Sequence, residues 1–311
     1  MQLSIVTTLY KSAPYIEEFW KRVTASAAGI TDDYEIIFVN DGSPDDSLNV
    51  ALKVHERDPK VKVIDLSRNF GHHKAMMTGL SGAKGELVFL IDVDLEEEPE
   101  WLPLFHKTLQ ETKGCDVVYG VQDKRKGGLI ERAGGAVFYW LYDLLSTTPI
   151  PANCVTARLM RAPYVRALTE HQDREMFMAG LWALTGFRQT PLSVQKGNRP
   201  GTSYSFGHRM AVLVNAITSF SNRPLIAIFY LGSFVFLIGL AGALYLIIRR
   251  VFYQEYLSGW PSLIVSIWLL GGLNIFCVGI LGIYLAKIFT EVKRRPLTVI
   301  RQVYEKNGGA R

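Results

Sequence analysis

Short apolar runs alternate with amphipathic stretches along residues 1–120 of the chain. The apolar runs consist mainly of Ile, Val, Leu and Phe, which is typical of strands buried on both faces of a parallel sheet. We predict five such strands, at Leu3–Leu9, Glu35–Asn40, Val61–Leu66, Glu86–Ile91 and Asp116–Tyr119. Four helices are predicted between them, at Pro14–Ala28, Asp45–Arg57, His73–Gly82 and Glu100–Thr112. This alternation predicts a doubly wound α/β domain with a mainly parallel sheet.

The pattern after the fifth predicted strand is less regular. An amphipathic helix, a loop and a partly helical stretch are predicted at Leu129–Leu145, Thr148–Ala152 and Arg161–Ala183. A further amphipathic helix is predicted at His208–Ser221, where it either lies on a membrane surface or packs on the sheet.

Two long apolar stretches follow, Leu225–Ile248 and Leu263–Ala286, each with 24 residues and no charged side chain. At ~1.5 Å per helical residue each would reach about 36 Å, which exceeds the ~30 Å hydrocarbon core of a bilayer. We therefore predict a hairpin of two transmembrane helices. Glycines in both stretches predict close helix packing, within the chain or between subunits.

The placement of basic residues is more informative than the net charge of +5. Arg209 and Arg223 precede the first apolar stretch, and a larger basic group follows the second, at Lys287, Lys293, Arg294, Arg295 and Arg301. The intervening loop carries only Arg249 and Arg250. The positive-inside rule then predicts an integral membrane protein with its N-terminal domain and its tail in the cytoplasm.

Four segments are predicted from these patterns. They are a cytosolic α/β domain, an interface helix, a transmembrane hairpin and a cytosolic tail, at residues 1–205, 206–223, 224–289 and 290–311. The first ten residues lack a charged region and a cleavage site, so no secretory signal is predicted. The three cysteines are widely separated, and their spacing predicts neither a disulfide framework nor a metal site.

Polar clusters follow three of the predicted strands, at 40–46, 67–74 and 92–100. Ligands of open parallel sheets bind at the carboxyl ends of the strands, where these clusters lie. Taken alone, the first cluster also fits a turn with a helix cap. In the second, Arg68 and Lys74 could face an anion, whereas His72 and His73 would need further ligands to hold a metal.

Asp92 and Asp94 in the third cluster point to the same side if the strand continues through them. Two carboxylates at one edge suit a hard divalent cation such as Mg²⁺ or Mn²⁺. The alternative is that the acidic run simply begins a helix. We expect Glu97, Glu98 and Glu100 to favour the amino terminus of that helix, and the role of Glu96 stays open.

The three clusters together resemble a known family. The motifs Asn40-Asp-Gly-Ser, Arg68-Asn-Phe-Gly and Asp92-Val-Asp-Leu with Pro99-Glu100 are similar to those of family 2 glycosyltransferases of the GT-A fold. With two apolar C-terminal stretches, the chain more closely resembles polyprenyl-phosphate glycosyltransferases of the dolichyl-phosphate-mannose-synthase-like and GtrB-like groups. The similarity covers nearly the whole chain, including Thr218-Ser-Phe-Ser and Glu291-Val-Lys-Arg-Arg-Pro.

This resemblance implies an inverting transfer of a sugar from a nucleotide diphosphate, with UDP favoured, to a polyprenyl phosphate such as undecaprenyl phosphate. It also implies an Mg²⁺ or Mn²⁺ cofactor, a bacterial inner-membrane location, a homo-oligomer such as a tetramer, and no nucleic-acid partner.

The resemblance also implies roles for individual residues. A base pocket is expected at Thr7, Thr8, Leu9 and Tyr10. Asp41 is expected to contact the base or ribose, and Arg68 is expected to contact the donor. Asp92 is expected to be the acid of the Asp-x-Asp triplet nearer the nucleotide, and Asp94 is expected to be the main metal ligand. Basic residues near the diphosphate or the acceptor phosphate are expected at Arg125, Arg158 and Arg199.

Several positions depart from the family pattern. Thr156 stands where members have an Asp that is the proposed catalytic base, Ser203 where a lysine is frequent, and Gln122 where an arginine is frequent. Glu96-Glu-Glu98 replaces the usual Gln-Asp-Pro. A phosphate acceptor with a second pKa of about 6 needs little deprotonation, so we expect activity to survive with Thr156. The alternatives are another lipid-glycan acceptor, or a non-catalytic subunit that binds nucleotide sugars.

Overall fold

The computed structural model describes residues 1–122, 153–174, 176–197, 214, 217, 218, 221–253 and 259–306. These residues divide into two compact units, one built on residues 1–122, 153–197 and 294–306 and the other on residues within 214–293. Several predictions lie outside the described residues, namely the helix at Leu129–Leu145, the loop at Thr148–Ala152, most of the helix at His208–Ser221, and the roles of Arg125, Arg199 and Ser203.

Eight strands of the first unit form one sheet. They are β1 Leu3–Leu9, β2 Tyr34–Asn40, β3 Val61–Leu66, β4 Leu87–Leu90, β5 Val117–Gln122, β6 Cys154–Arg161, β7 Gln189–Val194 and β8 Ile300–Tyr304. The helices around this sheet are α1 Ile16–Ala28, α2 Ser47–Arg57, α3 His72–Ser81, α4 Trp101–Glu111, α5 Ala162–Glu170 and α6 Met178–Leu184. The predicted α/β class is therefore confirmed.

The strand order is β7-β5-β6-β4-β1-β2-β3-β8. The four strands β4, β1, β2 and β3 are parallel to one another, whereas β6 and β8 run antiparallel to their neighbours. In the register, Leu9 of β1 lies opposite Asn40 of β2, and Asn40 lies opposite Asp65 of β3. The carboxyl ends of these strands, with the polar clusters that follow them, therefore meet at one edge of the sheet.

Aromatic side chains form the core between the sheet and helices α1 and α4. Phe89 packs edge-on against Phe105 with ring centroids 6.0 Å apart, and Phe19 lies 6.2 Å from Phe38. Helix α3 covers the opposite face, where a Cβ atom at Gly79 would lie 2.5 Å from a methyl of Val6. This close approach lets the last turn of α3 pack directly on β1 and β2.

The second unit contains α7 Arg223–Tyr253 and α8 Trp260–Val292. Among the described residues, one stretch has the length and hydropathy of a membrane span, Leu269–Val292 with a mean hydropathy of 2.1. The apolar stretch in α7, Arg223–Gly239, is shorter. In the described part of the chain one helix is thus both long enough and apolar enough to cross a membrane, and the two-helix hairpin stays a prediction.

The glycines of α7 and α8 are not sites of close helix packing within the described part of this chain. Among the described residues, a Cβ atom added at any of these glycines would meet no atom within 4 Å outside the adjacent turns of its own helix, at Gly232, Gly239, Gly242, Gly271, Gly272, Gly279 and Gly282. Packing of these glycines against another subunit remains a prediction.

Candidate active site

Asp41 connects the loops that follow β2 and β3. Its carboxylate is buried and accepts hydrogen bonds from the main-chain nitrogens of Phe70, at 2.7 Å, and Gly71, at 3.0 Å. Gly42 has a φ of +57°, and a Cβ atom there would lie 2.4 Å from the main chain of Arg68. Only glycine avoids both the strain and the overlap, so the two loops are held in direct contact.

These contacts bear on the predicted role of Asp41. Both carboxylate oxygens already bond to main-chain amides, and the residue is 2% exposed. The structure thus gives Asp41 the function of ordering the neighbouring loop. Its predicted contact with a base or ribose stays a prediction. Arg68 is exposed, with its guanidinium 4.2 Å from the ring centre of Phe70.

The predicted base pocket at the end of β1 divides into buried and accessible side chains. Thr7 and Leu9 are fully buried, whereas Tyr10 is 47% exposed. Thr8 forms a hydrogen bond of 2.9 Å between its hydroxyl and Nδ1 of His72. Tyr10 can therefore reach a ligand directly, whereas Thr7, Thr8 and Leu9 are buried and shape the strand beneath it.

Asp92 lies between α3 and β6. One carboxylate oxygen is 3.4 Å from Nε2 of His72, and the carboxylate also accepts a hydrogen bond from the hydroxyl of Thr156. Burial favours a higher pKa for Asp92, but the hydrogen bond and positive charge of His72 outweigh burial and lower that pKa. Burial likewise disfavours the charged imidazole, yet Asp92 raises the pKa of His72. Asp92 is thus held as a carboxylate.

Asp94 lies two residues further on, in a tight turn. Its carboxylate accepts a hydrogen bond of 3.1 Å from the main-chain nitrogen of Glu96. Leu95 has a φ of +62°, a left-handed conformation that costs a branched residue ~1–2 kcal/mol. Burial, followed by the negative charges of Asp92 and Glu96, raises the pKa of Asp94. The strained backbone at Leu95 thus belongs to a turn in which the acidic side chains of Asp92, Asp94 and Glu96 lie close together.

Glu97 has a different environment from the one predicted. The expectation that it favours the start of a helix is wrong, because its side chain is fully buried and bonds to β6 instead. One oxygen accepts a 2.9 Å hydrogen bond from the main-chain nitrogen of Thr156 and lies 3.7 Å from Nζ of Lys196. Burial, followed by the charge of Asp92, raises the pKa of Glu97 to about 8.

Lys196 follows β7 and brings a positive charge to the acidic run. Its ammonium is 3.2 Å from Glu96, and the main-chain nitrogen of Gly197 donates a 2.8 Å hydrogen bond to the carbonyl of Glu96. The charges of Asp92 and Asp94 also interact with it. Lys196 is therefore a cation within a cluster of four acidic side chains, Asp92, Asp94, Glu96 and Glu97.

Glu100, by contrast, lies outside this cluster. It pairs with Arg22 at 2.6 Å just before α4, and the hydrogen bond from Arg22 lowers its pKa. The acidic run thus has an inner part, from Asp92 to Glu97, and an exposed outer part, in which Glu100 forms a surface ion pair with Arg22.

Arg158 is directed into the interior. It is 1% exposed, its guanidinium lies over the ring of Trp182, and it donates hydrogen bonds to the carbonyls of Thr156 and Val155 at 3.2 and 3.3 Å. Burial lowers its pKa to about 10. Arg158 therefore supports β6 from behind the site, and its expected contact with a phosphate stays a prediction.

The sequence pattern missed the roles of His72, Glu97 and Lys196 in this cluster. The histidine pair was noticed, but its two members have separate partners, since Nδ1 of His73 lies 3.2 Å from the carbonyl of Met176. Lys196 follows β7, a strand that the sequence pattern does not predict. Recognition of β7 would have placed Lys196 at the same sheet edge.

No group of three or more His, Cys, Asp and Glu side chains that could hold a metal ion occurs in the described part of the chain. Mg²⁺ is commonly held by only one or two carboxylates together with substrate phosphates. The crowded pair of Asp92 and Asp94 has the chemistry of such a donor set, so these residues fit a divalent cation that arrives with a diphosphate.

An α/β sheet that gathers carboxylates at its strand ends has the architecture expected of a glycosyltransferase. The chain belongs to glycosyl transferase family 2, whose family model matches residues 4–169. It is therefore a glycosyltransferase.

Relatives extend this similarity over nearly the whole chain. A Mycobacterium tuberculosis protein whose name assigns it to the glycosyltransferases is 53% identical over 304 residues, covering 98% of this chain and 89% of the relative. The SfII prophage-derived bactoprenol glucosyl transferase of Shigella flexneri is 32% identical over 310 residues, covering 99% and 100%. A crystal structure of Mycobacterium tuberculosis glucosyl-3-phosphoglycerate synthase aligns with 70% of this chain and 79% of its own, at 18% identity and a TM-score of 0.46.

Proposed function

We propose that this protein is a membrane-anchored inverting glycosyltransferase that moves a sugar from a nucleotide diphosphate, with UDP favoured, to a polyprenyl phosphate. The observation that carries the proposal is the cluster of Asp92, Asp94 and Lys196 beside the loops that Asp41 ties together. The full-length similarity to a bactoprenol glucosyl transferase supports a polyprenyl phosphate as the acceptor.

The donor would bind across the ends of β1, β2 and β4. Asp94, with Asp92 beside it, would hold the Mg²⁺ or Mn²⁺ ion that the family implies. When bound, such an ion would neutralise negative charge on the leaving diphosphate. Lys196 adds a fixed positive charge at the same place, since its ammonium is only 25% exposed and is held by Glu96 and Glu97.

In the proposed reaction, an oxygen of the acceptor phosphate attacks the anomeric carbon while the bond from that carbon to the diphosphate oxygen breaks. The products are the lipid-linked sugar phosphate and the nucleoside diphosphate. A phosphate monoester has a second pKa of about 6, so near neutral pH the attacking oxygen is already largely deprotonated. The site must position the acceptor and compensate its charge rather than remove a proton.

This chemistry explains how Thr156 can occupy the position of the family's Asp. Its hydroxyl bonds to Asp92, and its main-chain nitrogen bonds to Glu97. An aspartate there would place a third carboxylate between two others. The neutral hydroxyl instead steadies Asp92 without adding repulsion.

Replacing Thr156 with alanine tests this explanation. We expect sugar transfer to fall by about tenfold, because the change removes one hydrogen bond to a charged group, worth ~1.5 kcal/mol at the low end of its range. Initial rates at saturating donor and acceptor measure the effect, and Thr156→Ser is the control that keeps the hydroxyl. A loss of transfer as large as that caused by removing a general base, ~10²-fold or more, would contradict it.

Anchoring is proposed from α7 and α8. The stretch Leu269–Val292 is long enough to cross a bilayer, and α7 would supply the second helix of the hairpin. The distribution of basic residues favours a catalytic unit on the cytoplasmic face, and the unpacked glycines of both helices favour a homo-oligomer.

The full-length protein, purified in detergent, tests the proposal directly. UDP-, GDP- and dTDP-sugars are each incubated with Mg²⁺ or Mn²⁺ and a short polyprenyl phosphate. We expect one donor class to give a lipid-phosphate-linked sugar, and a metal chelator to abolish that product. Turnover only with a lipid-glycan acceptor would favour the alternative that the protein transfers the sugar to a lipid glycan instead of a polyprenyl phosphate. Tight binding of a nucleotide sugar without any product would favour the non-catalytic subunit.

A further inference from the structure

The strand β8 joins the tail to the edge of the sheet beside β3. The two strands are antiparallel, with Asp65 opposite Gln302 and Leu66 opposite Ile300. Arg301 lies between the two pairs and has no partner on β3, so it is the extra residue of a β-bulge. Bulges re-aim a side chain, and they are common at sheet edges and next to active sites.

The bulge directs Arg301 towards the carboxyl end of β3. Its guanidinium lies 3.3 Å from a carboxylate oxygen of Asp65 and donates a 2.8 Å hydrogen bond to the carbonyl of Ser67. The main-chain nitrogen of Ser67 also bonds to the carbonyl of Val299 at 2.9 Å. Both the side chain and the main chain of the tail therefore hold the start of the loop after β3.

Asp65 carries the connection on to β2. It is 1% exposed, and its second oxygen accepts a 2.7 Å hydrogen bond from the side-chain amide of Asn40. A buried carboxylate needs a nearby cation, and Arg301 provides one. The side-chain oxygen of Asn40 in turn accepts a 3.3 Å hydrogen bond from the main-chain nitrogen of Ser43.

The network ends at the two loops of the candidate donor site. Asn40 precedes Asp41, whose carboxylate bonds to the amides of Phe70 and Gly71. One set of hydrogen bonds thus runs from Arg301 through Asp65 to the loop after β2, and a direct bond runs from Arg301 to the loop after β3.

We propose that Arg301 is a positioning residue for nucleotide binding, and that it acts by holding the loops at 40–43 and 67–71 in register from the tail strand. The inference rests on the donor-binding half of the proposed function. Arg301 acts through Asp65 and Ser67, so its removal should weaken nucleotide binding while leaving the turnover of a saturated enzyme nearly unchanged.

The test compares three variants of the full-length protein in detergent. Arg301→Ala removes both contacts, and Arg301→Lys keeps the charge but loses the two-pronged geometry. Lys306→Ala is the matched control, because Lys306 is another cation of the tail and its 2.7 Å hydrogen bond goes to the carbonyl of Glu56, away from both loops. UDP and GDP, each with Mn²⁺, are the probes.

We expect the affinity for the bound nucleotide to fall about tenfold in Arg301→Ala, the effect of losing hydrogen bonds to a charged group. Arg301→Lys should be intermediate, and Lys306→Ala should match the wild type. Amide hydrogen exchange of the segment 66–75 should be faster in Arg301→Ala alone. A tail strand that only stabilises the sheet would instead lower the melting temperature in Arg301→Ala while leaving nucleotide affinity unchanged.

Unchanged affinity and unchanged exchange in Arg301→Ala would overturn the inference. If the wild type bound neither UDP nor GDP, the inference and the donor half of the proposed function would both fail. If it bound UDP with the expected response to Arg301→Ala but transferred no sugar to a polyprenyl phosphate, only the acceptor half of the proposed function would fail.

Discussion

Sugar transfer is expected to fall by about 10²–10³-fold when Asp94 is replaced by asparagine, the range seen when a group that stabilises developing charge is removed. The asparagine keeps the size of the side chain and an oxygen that can accept the 3.1 Å hydrogen bond from Glu96. The tight turn should therefore persist. What is lost is the negative charge that would hold Mg²⁺ or Mn²⁺ beside the diphosphate. Initial rates at saturating donor, measured over a range of metal concentrations, give the effect.

Glu98→Gln is the matched control for Asp94→Asn. It removes one negative charge from the same acidic run, but Glu98 is exposed and lies outside the inner cluster. We expect its rate to stay within about twofold of the wild type, because surface charge changes away from the site have small effects. Full activity in Asp94→Asn would contradict the proposal that Asp94 binds the metal.

The parallel half of the sheet could be predicted because strands that are buried on both faces consist mainly of apolar residues. β1 and β3 begin and end as predicted, since Ile, Val and Leu predominate in both and each strand is buried along its whole length, including its few polar residues. Helices α1 to α4 begin and end within two residues of the predicted bounds. In these elements, the pattern of apolar residues along the sequence follows burial in the structure closely enough to locate the strand or helix.

Strands β6, β7 and β8 were missed because their residues do not show that pattern. β6 carries two polar side chains, Thr156 and Arg158, and the guanidinium of Arg158 is buried over the ring of Trp182. β7 is an edge strand with Pro191 inside it, and proline is tolerated at a sheet edge. β8 is mostly exposed, and its pairing depends on β3, more than 200 residues earlier. Their formation is decided by tertiary contacts.

The same distinction explains the site. Asp41, Asp92 and Asp94 could be located because they follow strands whose ends share one sheet edge. The environment of Glu97 could not be read from its neighbours, since Thr156 and Lys196, which bond to it, lie far along the chain. Glu97 and Glu98 are adjacent, yet one is buried and the other is exposed.

The contact between Glu97 and Lys196 leads to the second large expected effect. Lys196→Met keeps the length of the side chain but leaves Glu97 buried without its cation. At pH 9, where Glu97 is largely ionised because its pKa is about 8, we expect a loss of about 2 kcal/mol in the free energy of unfolding. This is less than the 3–5 kcal/mol typical of a fully buried pair, because the lysine side chain is 25% exposed. Near pH 6, where Glu97 is protonated, the loss should largely vanish. Transfer should fall as well, by about tenfold or more, since the site loses a fixed positive charge near the diphosphate. Thermal unfolding in one detergent and initial rates measure the two effects.

Two further variants separate the stability effect from the catalytic one. Adding Glu97→Gln to Lys196→Met removes the charge that Glu97 carries at pH 9, so stability at that pH should largely return while transfer stays low. Lys107→Met breaks a surface pair with Glu111 whose side chains are 70% and 66% exposed, and it should change stability by less than about 0.5 kcal/mol. If the double variant is no more stable than Lys196→Met, Lys196 does not stabilise the fold through Glu97. If transfer returns together with stability, the ammonium of Lys196 has no direct part in the reaction, because its only effect was to keep a buried carboxylate paired.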